Sequence, residues 1–75
     1  MDKKEYDKQS RYIRYQLVIA REEANLTQKS VAETKIISQS ELSKIENGQR
    51  QIDFIILNQL AILYKKDISF FIPKI

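Results

Sequence analysis

Apolar residues recur at helical spacing along most of the chain and predict its helices. In the first segment, apolar residues follow one another at intervals of four, three and four positions: Ile13, Leu17, Ala20 and Ala24. This spacing places them on one face of a helix whose first turn we expect between Asp7 and Ser10. Charged residues occupy the opposite face. The segment is therefore predicted to be an amphipathic helix with one buried face.

The second predicted helix is short. The hydroxyl of Thr27 can cap a helix that begins at Gln28. Val31 and Ala32 give this helix an inner face. We expect it to end near residues 34–36, because β-branched residues cluster there and lower the helix propensity.

A third helix is predicted to begin after Ser38. Ser38 followed by Glu41 is typical of a capping box. Leu42 and Ile45 form the inner face of this helix. It should end at Asn47-Gly48, because glycine adopts a left-handed backbone at no steric cost and the chain has a single glycine.

The last third of the chain predicts two further helices. Asp53 can cap a fourth helix, whose inward positions keep helical spacing: Ile56, Leu57, Leu60, Ala61 and Tyr64. Asp67 or Ser69 can cap one more helical turn, which Pro73 ends. We expect Phe54 and Phe70 in the core.

Length restricts the chain to one small core. A chain of 75 residues buries a smaller fraction of its surface than a larger domain does. We therefore predict an all-α fold: a single compact five-helix domain over residues 10–75, with a helix-turn-helix, preceded by a flexible charged segment over residues 1–9.

The residue types exclude several classes of function. Cysteine and histidine are absent, so the usual zinc ligands, a disulfide framework and the commonest general base are missing. No glycine-rich phosphate loop or nucleophile constellation occurs. We expect no enzymatic activity, no metal and no cofactor. No apolar run approaches the roughly 20 residues of a membrane span and no signal peptide is visible, so we expect a cytoplasmic protein without a membrane partner.

The charge distribution is compatible with nucleic-acid binding. The net charge is +3 and the isoelectric point is about 9.3. Residues 1–21 hold six basic and three acidic side chains. Residues 22–48 hold three basic and five acidic side chains, and residues 49–75 hold four basic and two acidic ones. If the middle section enters a DNA groove, its polar side chains must supply the specificity and the basic flanks much of the attraction to phosphate.

The two short helices have the sequence form of a helix-turn-helix. Three stretches carry a more specific likeness: Arg21–Gln28 (REEANLTQ), Val31-Ala32 and Ser38–Gly48 (SQSELSKIENG). At these spacings they resemble the Cro and phage-repressor family, also called the xenobiotic-response-element type. The resemblance extends from about Ile13 to Ile72, and it implies a DNA-binding transcription regulator.

The resemblance implies roles for particular residues. It places the third helix in the major groove of double-stranded DNA, where five side chains are candidates for base contacts: Ser38, Gln39, Ser40, Glu41 and Lys44. Four more are candidates for phosphate contacts: Gln28, Lys29, Asn47 and Arg50. It also implies a largely buried ion pair between Arg21 and Glu46. Each of these polar residues has a simpler interpretation, as a solvated side chain or a helix cap.

The turn between the second and third helices departs from the family pattern. Ile36 stands where the family usually has glycine, and Lys35 where an apolar residue is common. A β-branched residue resists the left-handed backbone that glycine permits. We therefore predict a different turn, right-handed throughout, with Ile36 and Ile37 packed inward.

We expect a repressor that reads a short inverted-repeat operator as a homodimer. One short helix reads only a few base pairs, so two copies are needed for a palindromic site. Phe71, Ile72 and Ile75 are the candidate dimer interface, and packing of this end against the first helix is the alternative. A second functional hypothesis is an antitoxin-like or adaptor module, which uses the same helices chiefly to bind a partner protein through Phe54, Phe70, Phe71 and Ile75.

Overall fold

The structure, a computed structural model, describes residues 1–74. Its helices are α1 (Lys3–Glu23), α2 (Gln28–Glu33), α3 (Gln39–Glu46), α4 (Phe54–Leu63) and a 3₁₀ helix (Ile68–Phe71). The described residues contain no strand. The predicted all-α class is therefore confirmed, but the count is four α-helices, because the predicted fifth helix is one turn of 3₁₀ helix.

Helix α1 begins earlier than its apolar pattern predicts. The Asp2 carboxylate caps it by accepting a hydrogen bond of 2.8 Å from the backbone N–H of Glu5. The start predicted between Asp7 and Ser10 is wrong, since a capping carboxylate and a charged first turn sustain the helix without apolar contacts. The division into a flexible segment 1–9 and a domain 10–75 stays a prediction, although residues 3–9 are helical.

The later helices begin at their predicted caps. Thr27, Ser38 and Asp53 each accept a hydrogen bond from the backbone N–H three residues further on, and Asp67 accepts one from Ser69. The complete capping box lies at Thr27, because the Ser30 hydroxyl accepts a bond from the Thr27 backbone N–H. Glu41, predicted to complete a capping box with Ser38, forms an ion pair elsewhere.

One hydrophobic core joins all the helices. Its buried side chains are Leu17, Ala20, Val31, Ile37, Leu42, Ile45, Leu57, Leu60, Ala61, Tyr64 and Phe71. Phe70 is half-buried against this core, as predicted. Phe54 is 64% exposed, so its predicted place in the core is wrong: it starts α4 on the face that points away from the other helices.

The turn between α2 and α3 contains one left-handed residue, Lys35, with φ 65°. The prediction of a right-handed turn throughout is therefore wrong. The left-handed position precedes Ile36, so the β-branched residue keeps an ordinary backbone. Ile37 is buried and Ile36 half-buried against the core, as predicted.

The C-terminal segment packs against α1. The Gln16 side chain donates a hydrogen bond of 3.0 Å to the carbonyl oxygen of Phe70. Lys66 forms an ion pair of 2.6 Å with Glu23, and its Nζ lies 4.7 Å from the centre of the Phe70 ring. Phe71 is fully buried beneath these contacts. Phe71 is therefore a core residue, and its predicted role in a dimer interface is wrong.

Candidate nucleic-acid interface

Helices α2 and α3 form a helix-turn-helix whose second helix has a buried and an exposed face. Leu42 and Ile45 of α3 are buried in the core. Ser38, the N-cap, is exposed, as are four residues of the helix itself: Gln39, Ser40, Glu41 and Lys44. The five predicted base-contacting residues therefore lie on solvent-accessible positions at one end and one side of α3. Their amide, hydroxyl, carboxylate and ammonium groups supply the donors and acceptors that base edges require.

The Arg21 guanidinium and the Glu46 carboxylate link α1 to the end of α3. Arg21 donates two hydrogen bonds to Glu46, of 2.9 and 3.1 Å, and a third of 2.9 Å to the carbonyl oxygen of Leu26. The side chains of Arg21 and Glu46 are only 13% and 5% exposed. The hydrogen bonds with Glu46 raise the pKa of Arg21 above its ordinary value, so the guanidinium stays ionised. This geometry fixes the end of α3 relative to α1.

Gln28 is a third member of this cluster, a role that no pattern in the sequence predicts. Its side-chain amide donates a hydrogen bond of 2.9 Å to the same Glu46 carboxylate. Glu46 thus accepts three hydrogen bonds from two elements, α1 and the first turn of α2. The amide of Gln28 still has a second N–H, and its phosphate contact stays a prediction.

Tyr64 is buried near enough to the same cluster for the charges of Glu46 and Arg21 to act on its hydroxyl. Burial raises the pKa of its hydroxyl, and the negative charge of Glu46 raises it further. Its hydroxyl is buried without a hydrogen-bond partner among the described residues. Tyr64 is therefore neutral at physiological pH.

Glu41 and Arg50 form an ion pair at the exposed surface. Arg50 Nη1 lies 3.3 Å from a carboxylate oxygen of Glu41, and both side chains are about half exposed. Ion pairs of this kind contribute little to stability. The contact joins a predicted base-contacting residue to a predicted phosphate-contacting residue.

The remaining candidates for phosphate contacts are accessible. Lys29 is exposed in the first turn of α2, and Asn47 is exposed as the C-cap of α3. Asn47 also donates a weak hydrogen bond of 3.4 Å to the Ser43 hydroxyl. These positions leave both side chains available to a nucleic-acid backbone.

Arg14 adds a cation that the sequence analysis did not identify. Its guanidinium packs over Gly48, where a side chain would collide with it, and Gly48 itself has φ 81°. Arg14 and Arg50 line the same small cleft, beside the end of α3. No local sequence signal could have placed Arg14 there, because the contact joins residues far apart in the chain.

The residues predicted for the dimer interface differ in their exposure to solvent. Phe71 is buried, Ile72 is 45% exposed, and Ile75 lies outside the described residues.

Among the described residues, no helix combines the length and apolar composition needed to cross a membrane. Nor do their acidic side chains gather in a group of three that could hold a metal ion.

Comparison with known proteins identifies the family to which the chain belongs. A family model described as Helix-turn-helix matches residues 17–71, which is well over half of the chain and includes α2, α3 and α4. Neither the curated proteins nor the solved structures gave a match. Regulators of this type bind DNA and are as a rule not enzymes. The chain therefore belongs to the Cro/C1-type helix-turn-helix family of DNA-binding transcription regulators.

Proposed function

We propose that the protein is a sequence-specific repressor that reads a short inverted-repeat operator through α3. The observation that carries this proposal is the exposed polar face of α3, held in place by the buried Arg21–Glu46 ion pair. A helix with this exposure fits the major groove of B-form DNA. Binding at a promoter would then exclude other proteins, a mode of repression that needs no separate effector domain.

Each exposed side chain of α3 has a preferred partner among the base edges. The Gln39 amide presents a donor and an acceptor together, as adenine requires, and Lys44 can donate to guanine. Glu41 can accept from cytosine once DNA phosphates compete for Arg50. Ser38 and Ser40 add hydroxyl groups that serve either as donors or as acceptors. Together these groups form the proposed reading surface.

Phosphate contacts would hold the helix in register. Lys29, Asn47 and Arg50 are exposed around the ends of α2 and α3, and Gln28 can offer its second amide proton. Arg14 lies beside Arg50 at the same cleft. These groups attract any DNA, so they supply affinity and orientation, and the base contacts of α3 supply the specificity.

Binding by the isolated protein tests this proposal against a protein-interaction role. The test compares duplexes from the region upstream of the protein's own coding sequence with a shuffled duplex of the same composition. We expect the purified protein to bind an upstream inverted repeat tightly and the shuffled duplex weakly. Equal, weak binding to every upstream duplex and to the shuffled control would contradict a repressor that acts in this region and would favour the protein-interaction role.

Gln39→Ala should relax specificity at one base pair of the operator. Removing the amide should cost about 1–3 kcal/mol of binding free energy at that base pair and little at the other base pairs, because a bidentate contact discriminates one base from the others. Affinities for a set of single-base operator variants measure the effect, and Tyr15→Ala, which truncates an exposed side chain of α1, is the control. An equal loss on operator and random DNA would contradict the base contact.

Arg50→Ala should weaken binding to all DNA sequences to a similar extent. The loss of one phosphate contact should lower the slope of log affinity against log salt concentration by about one unit. A salt titration with specific and non-specific duplexes measures this slope. An unchanged slope with altered preference at a single base pair would mean that Arg50 reads sequence.

A second candidate function is an antitoxin-like or adaptor module. The observation that favours it is the exposure of large apolar side chains on α4, above all Phe54, Ile55 and Ile62. Such a module would bind DNA weakly alone and tightly only with its protein partner. The binding test above distinguishes the two functions.

A further inference from the structure

The first half of α1 carries a row of cations on one face. Its members follow one another at steps of four, three and three residues: Lys4, Lys8, Arg11 and Arg14. Residues three or four apart are neighbours on a helix surface, so these side chains form one continuous row along about 15 Å of the helix. Lys4, Lys8 and Arg11 are exposed, and Arg14 is partly buried. We call this row the α1 basic stripe.

The protein does not pair the cations of the α1 basic stripe with its own anions. The ion pairs within residues 1–74 use other cations: Lys3, Arg21, Arg50 and Lys66. The acidic side chains of the same segment each bond to a group outside the stripe: Asp2, Glu5 and Asp7. Asp7, which lies beside the stripe, has its charge balanced by Lys3 at 3.0 Å. An anionic partner can therefore approach a row of cations that holds no other anion within residues 1–74.

One end of the α1 basic stripe lies beside the loop that follows α3. Arg14 packs over Gly48, two residues after the end of α3, and it lines the same cleft as Arg50. The hydroxyl of Ser10 donates a hydrogen bond of 3.2 Å to the side-chain oxygen of Gln51. These contacts hold the first half of α1 against the loop that carries Arg50, a proposed phosphate contact. The stripe therefore continues the proposed phosphate-binding surface along α1.

Double-stranded DNA is the anionic partner that fits a row of cations at this place. Its backbone is a regular line of phosphates that continues past the base pairs a reading helix contacts. The stripe carries no apolar side chain, and interfaces with DNA are more polar and more positively charged than those between proteins. We propose that the α1 basic stripe binds phosphates of the DNA backbone outside the base pairs that α3 reads. The inference rests on the proposed function, to which it adds three cations, Lys4, Lys8 and Arg11.

The charge distribution of the chain gives these contacts a purpose. Residues 22–48, which include α2 and α3, hold three basic and five acidic side chains. A reading helix in a net acidic section needs cations from another part of the chain to hold DNA. Contacts from the α1 basic stripe would raise the affinity for every DNA sequence to a similar extent, because phosphates carry no sequence information directly. Each phosphate that is neutralised adds about 0.9 to the slope of log affinity against log salt concentration.

A salt titration of duplex binding tests the α1 basic stripe directly. The double variant Lys8→Gln with Arg11→Gln removes two cations and keeps residues of good helix propensity. We expect it to lower the salt slope by about two units, and to weaken binding at least about tenfold at about 0.1 M salt, on specific and random duplexes alike. Lys65→Glu is the matched control, because it changes the net charge by the same amount and Lys65 is exposed beyond the C-terminal end of α4. Its salt slope should lie within about half a unit of that of the parent.

A second measurement does not depend on any variant. On addition of a duplex about two helical turns long, the backbone amide NMR signals of residues 4–11 should shift together with those of α3. Shifts confined to α2, α3 and the loop after α3 would overturn the proposal. An equal loss of slope in Lys65→Glu would also overturn it, because the effect would then follow the net charge and not the position of the stripe.

Failure of the stripe and failure of the proposed function give different results. A double variant that is folded by circular dichroism and keeps the salt slope of the parent overturns the stripe alone, and leaves an acidic protein as its partner. A parent that binds all duplexes alike, while the double variant loses slope, overturns sequence-specific reading alone. A parent that binds no duplex at all overturns both.

Discussion

Glu46→Ala is expected to lower the free energy of unfolding by about 3–5 kcal/mol, because it leaves a nearly buried guanidinium without its carboxylate. Arg21 loses two hydrogen bonds and Gln28 loses a third. For a domain of this size, the loss corresponds to a drop in melting temperature of more than about 12 °C. The change also releases the end of α3 from α1, so affinity for DNA should fall together with stability.

Urea denaturation and a DNA-binding titration measure the two effects of this substitution. Asp7→Ala is the control, because its ion pair with Lys3 on α1 is exposed, lies outside the proposed reading surface and should change stability by no more than about 0.5 kcal/mol. If Glu46→Ala unfolds at the same urea concentration as the parent, the Arg21–Glu46 pair contributes nothing net. The account of how α3 is held would then be wrong.

Phe71→Ala should also destabilise the monomer by about 3–5 kcal/mol, since it removes a fully buried aromatic ring from the core. The ring of Phe71 packs edge to face against that of Phe70, with 5.2 Å between the ring centres. Removing it leaves a cavity beneath the C-terminal segment and weakens the contact of that segment with α1.

Thermal unfolding combined with sedimentation separates this role from a role in dimerisation. Ile72→Ala is the matched control, because Ile72 is 45% exposed and its truncation should cost about 1 kcal/mol or less. We expect Phe71→Ala to melt at a lower temperature and, where it is folded, to self-associate like the parent. A variant with unchanged melting and lost self-association would restore Phe71 to a dimer interface.

The starts of α2, α3 and α4 were predictable from sequence because capping is local. Thr27, Ser38 and Asp53 each bond to a backbone N–H three residues away, a distance that sequence spacing alone fixes. The end of α3 at Gly48 was equally local, since it depends on the backbone freedom of one glycine. Such signals need no knowledge of the tertiary structure.

The orientation of α4 was less predictable, because that helix is apolar on almost every side. Periodicity places Leu57, Leu60 and Ala61 inward correctly, but it does not decide on which side Phe54 lies. Phe70 and Phe71 are adjacent in sequence, and only the packing against α1 determines that Phe71 is the more deeply buried. These outcomes depend on contacts between distant segments, which a pattern along the chain does not contain.

The candidate interface was predictable in part. The exposed face of α3 follows from the inward positions of Leu42 and Ile45, and the Arg21–Glu46 pair follows from the family resemblance. The hydrogen bond from Gln28 to Glu46 and the position of Arg14 over Gly48 had no signal in sequence. Both depend on how α1, α2 and α3 meet in space.

Selection of bound duplexes from a random DNA pool by the isolated protein tests the central claim most directly. The account predicts enrichment of one short inverted repeat, with half-sites about one helical turn apart, and loss of preference at one position of each half-site for Gln39→Ala. A pool that stays random after repeated selection, although the protein is folded and binds DNA non-specifically, would contradict the claim that α3 reads sequence.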